Sequence, residues 1–276
     1  MISCRVRPLA WIAVVVAFAA ACAPPPDGPA DSGMVRAGLY IEPQTLSLLG
    51  KNDRSSEIVA RLVTDSLVQY DSRLELRPML ATDWEISDDG TIVTFHLREG
   101  VRWHDGAPVT ARDVVFSVEK ARQPATESKS FMAQFDNLVR LEAPDDHTVV
   151  AEYSEPYADF LEGWTVPIIP EHLAGLEPDL LQSEFARHPV GCGPFVLTRH
   201  DPGIEIVLEA NPDYWGGMPQ IAGVSLTIVP DERTAYQALL KGDLHLIGTP
   251  PDIWEEAQSS READWLERFV YYRLTV

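Results

Sequence analysis

The block that most restricts the fold of this chain is LREGVRWHDGAPVTARDVVFSVEKA, Leu97 to Ala121. It predicts a strand that exits at Gly100, a tight turn on Asp105-Gly106 and a helix that opens at Thr110. Thr110 and Asp113 have the spacing of a capping box, and Ala111, Val114, Val115, Val118 and Ala121 give the helix one apolar face. A strand handed to a helix over so few residues commits the chain to helices packed on sheets. The block also raises a chemical question, because His104 stands beside Asp105. Neighbours on an extended segment point to opposite sides, so the two do not converge on one proton or one ion. The pair reads as scaffold.

The rest of the chain follows the same mixed pattern. Val35–Ile41 reads as a first strand. Ser55 or Ser56 caps a helix with the stripe Ile58, Val59, Leu62, Val63 and Leu67. A turn at Asp71–Arg73 and short extended pieces lead to a strand between Asp89-Gly90 and Gly100. LVRLEAPDDHTVVAEY, residues 138–153, predicts a strand, a turn at Pro144–His147 and a return strand. GIEIVLEANP and VSLTIVP are two more strands. Asp231 caps a helix that runs to Lys241 and ends at Gly242, and DLHLIG is a short strand after it. The final run, RFVYYRLTV, is β-rich with no turn or cap behind it. Strands and helices mix without a regular βαβ repeat, so the fold class is α/β (mixed α+β) with mixed sheets.

The N-terminus reads as an address. Arg5 and Arg7 precede an apolar run from Leu9 to Phe18, the layout of a secretory signal. Small residues then lead into Cys22, as in the lipobox of bacterial lipoproteins, with Ala19 where Leu is usual. APPPDGPADSG, residues 23–33, cannot bury a core and reads as a tether. Removing residues 1–21 leaves 20 basic against 42 acidic side chains, a net charge of −22. That charge repels phosphate backbones and argues against nucleic acid as a partner. With Cys4 gone and Cys22 acylated, Cys192 has no partner for an internal disulfide.

Signals for catalysis are thin. No HExxH, no His/Cys cluster at zinc spacing, no G-x-S-x-G elbow and no phosphate-binding GxxxxGK[ST] loop occurs. Neither a metal nor a cofactor is expected. VGCGPF sets Cys192 between two glycines, where it is either a small residue in a tight turn or a nucleophile. The second reading makes the chain an exported lipoprotein hydrolase, with His172 or His188 as the base. Tyr271 and Tyr272 are equally readable as ligand-stacking aromatics or as ordinary strand aromatics.

Several stretches together resemble one family. They are ATDWEISDDGTIVTFHLREGVRWHDGAPVTARDVVFSVEKA, DDHTVVAEYSEP, HPVGCGPFVLTRH and LEANPDYWGGMPQIAGVSLTIVPDERTAYQALLKGDLHLI. In this order they resemble the family 5 extracellular solute-binding proteins of ABC importers, which carry oligopeptides, dipeptides and nickel chelates. The resemblance implies a periplasmic-binding-protein-like type II fold and no enzymatic step. Two lobes would close on a peptide or related small solute and deliver it to ABC permease subunits. The protein would be a monomer, periplasmic or cell-surface, tied to a membrane through lipid on Cys22. By the same resemblance, 1–21 is the signal with lipobox and 22–34 the tether. Lobe I comprises 35–49 and 164–270, and 50–163 is a smaller inserted accessory domain. Residues 271–276 begin a hinge strand, and the second lobe is missing, as in a fragment. Ligand contacts are expected at Ser55, Phe131, Cys192, Gly193, Tyr271 and Tyr272.

Overall fold

The structure, a computed structural model, describes residues 33–259 apart from 48, 50–52, 72, 124–132, 157–158, 178 and 249–250. The expected signal and tether, Cys22, Phe131 and the run holding Tyr271 and Tyr272 lie outside the described residues. In chain order the strands are β1 (Met34–Leu39), β2 (Val68–Tyr70), β3 (Leu76–Pro78), β4 (Ala81–Ile86), β5 (Ile92–Leu97) and β6 (Leu138–Asp145). They continue as β7 (Thr148–Tyr153), β8 (Phe195–Asp201), β9 (Glu205–Ala210), β10 (Gly223–Ile228) and β11 (Leu246–Ile247). The longer helices are α1 (Arg54–Val63), α2 (Ala111–Ala121), α6 (Glu232–Leu240) and α7 (Pro251–Ser259). Single turns α3 (Phe160–Gly163), α4 (Glu171–Ala174) and α5 (Glu184–Arg187) lie between them.

Two main sheets result. One has the order β11-β1-β10-β9-β8, the other β4-β5-β7-β6, and β2-β3 is a separate hairpin. The second sheet is antiparallel throughout and local in sequence. Its inner strands show the burial alternation of a sheet covered on one face. In the first, β8, β9 and β10 are antiparallel neighbours, but β1 runs parallel to both β10 and β11, with Leu39 opposite Ile228 and Gly38 opposite Ile247. The class is α/β with mixed sheets, as expected. The parallel pairing joins residues almost two hundred positions apart and has no local signature.

One hydrophobic core reaches both sheets. It runs from Ile206 and Leu208 on β9, through Val59 and Val63 on α1, to Phe95 on β5 and Trp164. Phe95 and Phe135 pack on Trp164 with ring centroids 4.6 and 5.4 Å away, and the buried indole N–H donates to Tyr153 Oη at 3.0 Å. A buried tryptophan with its one polar atom satisfied contributes area without a desolvation cost. A second, smaller cluster forms under α6 and α7 around Tyr236, Leu239 and Ile253.

The ends of the helices follow from their side chains. At α2, the Asp113 carboxylate accepts the Thr110 backbone N–H at 2.8 Å and the Thr110 hydroxyl at 3.2 Å. It also takes the Glu171 N–H at 2.9 Å. At α6, Asp231 accepts the Thr234 N–H at 2.7 Å, and Gly242 follows with φ 78°. At α1 the expectation needs correcting. Asp53 is the N-cap, accepting the Ser56 N–H at 2.9 Å, and both serines lie inside the first turn. Asp outcompetes Ser here because its carboxylate also takes the Ser56 hydroxyl and the Gln44 N–H.

Candidate functional site

In open sheets with parallel strands, ligands bind outside the carboxyl ends of the strands. Here those ends belong to β1, β10 and β11, at Leu39, Ile228 and Ile247. Past them the chain is held close. Val229 donates its N–H to Leu39 O at 2.8 Å, and the Tyr40 hydroxyl donates to Gly248 O. The loop after β1 is tied to the first turn of α1, where the Ser55 hydroxyl donates to Ile41 O at 2.6 Å. Glu42 reaches the other way and accepts the Gly203 N–H at 3.1 Å. Ile41, between these anchors, is 67% exposed. Its backbone is fixed by the Ser55 bond while its side chain faces solvent at the strand ends. Burial, followed by the charge of Glu232, pushes the Tyr40 phenol above its usual range.

Ser55 therefore stands beside this mouth, although its own side chain is buried. Cys192 and Gly193 stand elsewhere. The Gly193 N–H donates to Val63 O at 2.9 Å, and the Cys192 thiol lies 3.7 Å from the Thr64 hydroxyl. These partners are at the far end of α1, about 12 Å along the helix from Ser55. The structure does not bring the two expected contact points together.

The Cys192 turn is built by close approach. A Cβ on Gly191 would sit 1.9 Å from Val63 O, and one on Gly193 would sit 2.7 Å from Val63 C. The backbone must pass that near, so only glycine fits on either side of the cysteine. The turn is also clamped to His104. That ring donates from Nε2 to Gly193 O at 3.0 Å and accepts the Gly191 N–H on Nδ1 at 3.3 Å. One donating and one accepting nitrogen require the neutral imidazole, and burial lowers its pKa in the same sense. Asp105 points away, accepting from Ala107 N at 3.0 Å and His172 Nε2 at 2.7 Å.

A hydrolase centred on Cys192 is therefore not supported. The thiol is 1% exposed, and burial, the largest cause, pushes its pKa up to about 12. It is thus the opposite of an activated nucleophile. Its proposed bases are committed elsewhere, His172 to Asp105 and His188 to Glu184. Among the described residues, no group of three or more His, Cys, Asp or Glu is placed to hold a metal ion.

One cluster carried no sequence signal. Asp65, just after α1, is buried, and its carboxylate accepts the Trp215 indole N–H at 2.6 Å and the Tyr214 hydroxyl at 3.4 Å. The Arg98 guanidinium lies 4.1 Å from the centroid of the Trp215 ring. The spacing of 150 residues hides the pair, and YW after NPD reads as an ordinary loop aromatic.

An open mixed sheet with bare parallel strand ends and a second antiparallel sheet fused to its core has the architecture of the type II periplasmic binding proteins. Residues 75–275 match the model of the bacterial extracellular solute-binding proteins, family 5 (middle region). The chain is 36% identical over 261 residues to Protein XP55 of Streptomyces lividans, covering 90% of this chain and 46% of that one. Among solved structures it is similar to NikZ of Campylobacter jejuni in complex with Ni(L-His), with TM-score 0.77, 25% identity, and 83% and 46% of the two chains covered. It is also similar to the oligopeptide-binding protein AppA of Bacillus subtilis in complex with a nonapeptide, with TM-score 0.74, 28% identity, and 81% and 45% covered. The chain belongs to the family 5 bacterial extracellular solute-binding proteins. It spans about half the length of the relatives it matches.

Proposed function

We propose that this chain contributes one jaw of a two-lobe receptor that captures a peptide or related small solute outside the cytoplasm and delivers it to an ABC permease. The observation that carries the reading is the mouth at the carboxyl ends of β1, β10 and β11. Its loops are fixed by hydrogen bonds while Ile41 stays exposed. Lobe I is assigned to 35–49 and 164–270, supported by a sheet whose strands come only from β1 and β8–β11. The accessory domain is assigned to 50–163, supported by the sheet β4–β7. Residues 271–276, outside the described residues, are assigned to the start of the hinge strand. The role is capture by shape and charge, with no covalent step.

Ser55 acts at this mouth through the Ile41 carbonyl it holds. The Cys192–Gly193 turn supports the lobe from the opposite end of α1, and Phe131, Tyr271 and Tyr272 keep their assignment as ligand contacts. The protein works as a monomer held to a membrane by lipid on Cys22. Incorporation of labelled palmitate that is lost in Cys22→Ala tests the anchor. Among the described residues, no helix is long and apolar enough to cross a membrane. Ligand capture is tested by a thermal-shift screen with di- and oligopeptides. Binding to the native state raises the unfolding midpoint in proportion to the logarithm of free ligand. A midpoint unchanged by every peptide up to millimolar concentration counts against the reading.

A further inference from the structure

A carboxylate is rarely buried without a cation or a metal to meet it. Asp65 is 5% exposed and makes no ion pair among the described residues. Its side chain is held by two neutral donors, Trp215 Nε1 and Tyr214 Oη. Both belong to the segment 211–217, the first part of the loop 211–222 that joins β9 to β10, so the acid pins a connection of the five-stranded sheet to the end of α1. The same indole ring is covered by Arg98, which follows β5 of the other sheet and donates its backbone N–H to Leu80 O at 2.8 Å. The cluster thus spans both sheets.

The loop has a second, neutral attachment. Asn211 donates from Nδ2 to Gly193 O at 3.0 Å and from its backbone to Pro194 O at 2.8 Å. Neither bond involves an ionisable group. The loop is anchored at Asn211 by neutral groups and fastened at Trp215 by an ionisable acid.

We propose that Asp65 is the pin of a proton-operated latch, in which the protonated acid lies buried beneath Trp215 with the 211–217 segment closed, and the ionised carboxylate lets that segment swing about Asn211. An indole N–H bond to an ionised acceptor is shorter and about twice as strong as one to a neutral acid. That bond offsets part of the cost of burying the charge, but burial is the larger cause, so ionisation loosens the closed state. The groups that face the cluster are few. Tyr214 sits in the loop itself, Cys192 in the turn packed on α1, and Arg98 at the end of β5. Asp113 at the start of α2 and His104 lie one layer out, against Cys192 and its flanking glycines. Tyr214 and Cys192 are both pushed upward, chiefly by burial, and keep their protons at neutral pH. Burial also moves Asp65 up to about 6, within reach of mildly acidic surroundings outside a cell.

The test uses the full chain, ¹⁵N-labelled, with the Trp215 indole resonance identified by its loss in Trp215→Phe. From pH 7.5 to 5 this resonance should move with a midpoint near 6, while amide exchange in 211–217, corrected for intrinsic rate, becomes several-fold slower. Asp65→Asn should abolish both changes. A resonance that stays still across this range in the unmutated protein overturns the proposal. So does the same titration persisting in Asp65→Asn, which would trace it to His104 instead. Neither readout depends on a ligand, so the latch stands or falls independently of the function proposed above.

Discussion

At the scale of single residues, two buried ionisable groups make opposite demands on pH. Asp65 has its pKa raised from 3.8 to about 6 by burial, against the pull of the Trp215 and Tyr214 hydrogen bonds. The native state therefore binds its proton more tightly than the unfolded chain does. Stability contributed by that proton is present below about pH 4, is lost as pH rises through 6, and stays lost above it. The span from 3.8 to about 6 corresponds to a cost of about 3 kcal/mol at neutral pH. Asp65→Asn removes the charge and keeps an acceptor for the indole. Its unfolding midpoint should exceed that of the unmutated protein at pH 8, with the gain shrinking between pH 6 and 4. A gain that is equal at both ends would place its origin elsewhere. The latch closes over the same interval in which the fold gains, because relief of burial outweighs the weakened hydrogen bond. Cys192 gives the second residue-scale prediction. With a thiol moved from 9.0 to about 12, the thiolate fraction at pH 8 drops about a thousandfold. With Cys4 and Cys22 replaced by Ser, labelling by a disulfide reagent should be slow in buffer and fast in denaturant. Rapid labelling of the folded protein would show the turn to be open.

At the scale of elements, the local signals in the sequence had a physical source and the distant ones had none. The strand–turn–helix block from Leu97 to Ala121 was legible because each step is a short-range bond. Trp103 N–H meets Ala107 O at 2.8 Å, Gly106 takes φ 89°, and Asp113 caps Thr110. The cap of α1 was misplaced by two or three residues because Asp53 and Ser55–Ser56 carry similar signals. Only the fold shows that Asp53 also collects Gln44. The parallel contacts of β1 with β10 and β11 and the seat of Trp215 on Asp65 depend on the whole chain being folded, so no window of sequence contains them. The glycines beside Cys192 are an intermediate case. A turn was readable from VGCGPF, but not the approach of Val63 that makes glycine obligatory. Gly191→Ala should therefore destabilise the protein by about 3 kcal/mol or more in urea unfolding, since the backbone of α1 cannot yield as a flexible side chain could. A loss under about 1 kcal/mol, the range of an ordinary surface substitution, would mean the turn relaxes freely. Asp113→Ala removes the acceptor of two backbone N–H groups and one hydroxyl at a buried site. It should cost about 2–3 kcal/mol by the same measurement.

At the scale of the whole molecule, the question is whether the four-stranded antiparallel sheet moves with the five-stranded one or apart from it. Two sheets of separate sequence origin suggest two bodies, but the core denies that division. Phe95 from β5 and Trp164 belong to the same buried cluster as Val59 of α1 and Leu208 of β9. Cys192, Gly193 and His104 tie the helix, the lead-in to β8 and the turn before α2 in one set of bonds. Separating the sheets would expose fully buried aromatic surface, at roughly 25 cal/mol for each Å² uncovered. It would also leave the Gly191 N–H and C=O, both bonded to His104, unpaired. The four-stranded sheet is therefore expected to unfold together with the five-stranded one. In urea, tryptophan fluorescence and far-UV circular dichroism should trace one coincident transition. Amide protons of β5 and β7 should exchange no faster than those of β9 and β10. An earlier transition confined to β4–β7 would show that the four-stranded sheet is a separate body. If the chain is one jaw of the two-lobe receptor proposed above, the β4–β7 sheet is carried with the five-stranded sheet, and the motion of capture falls outside this joined core.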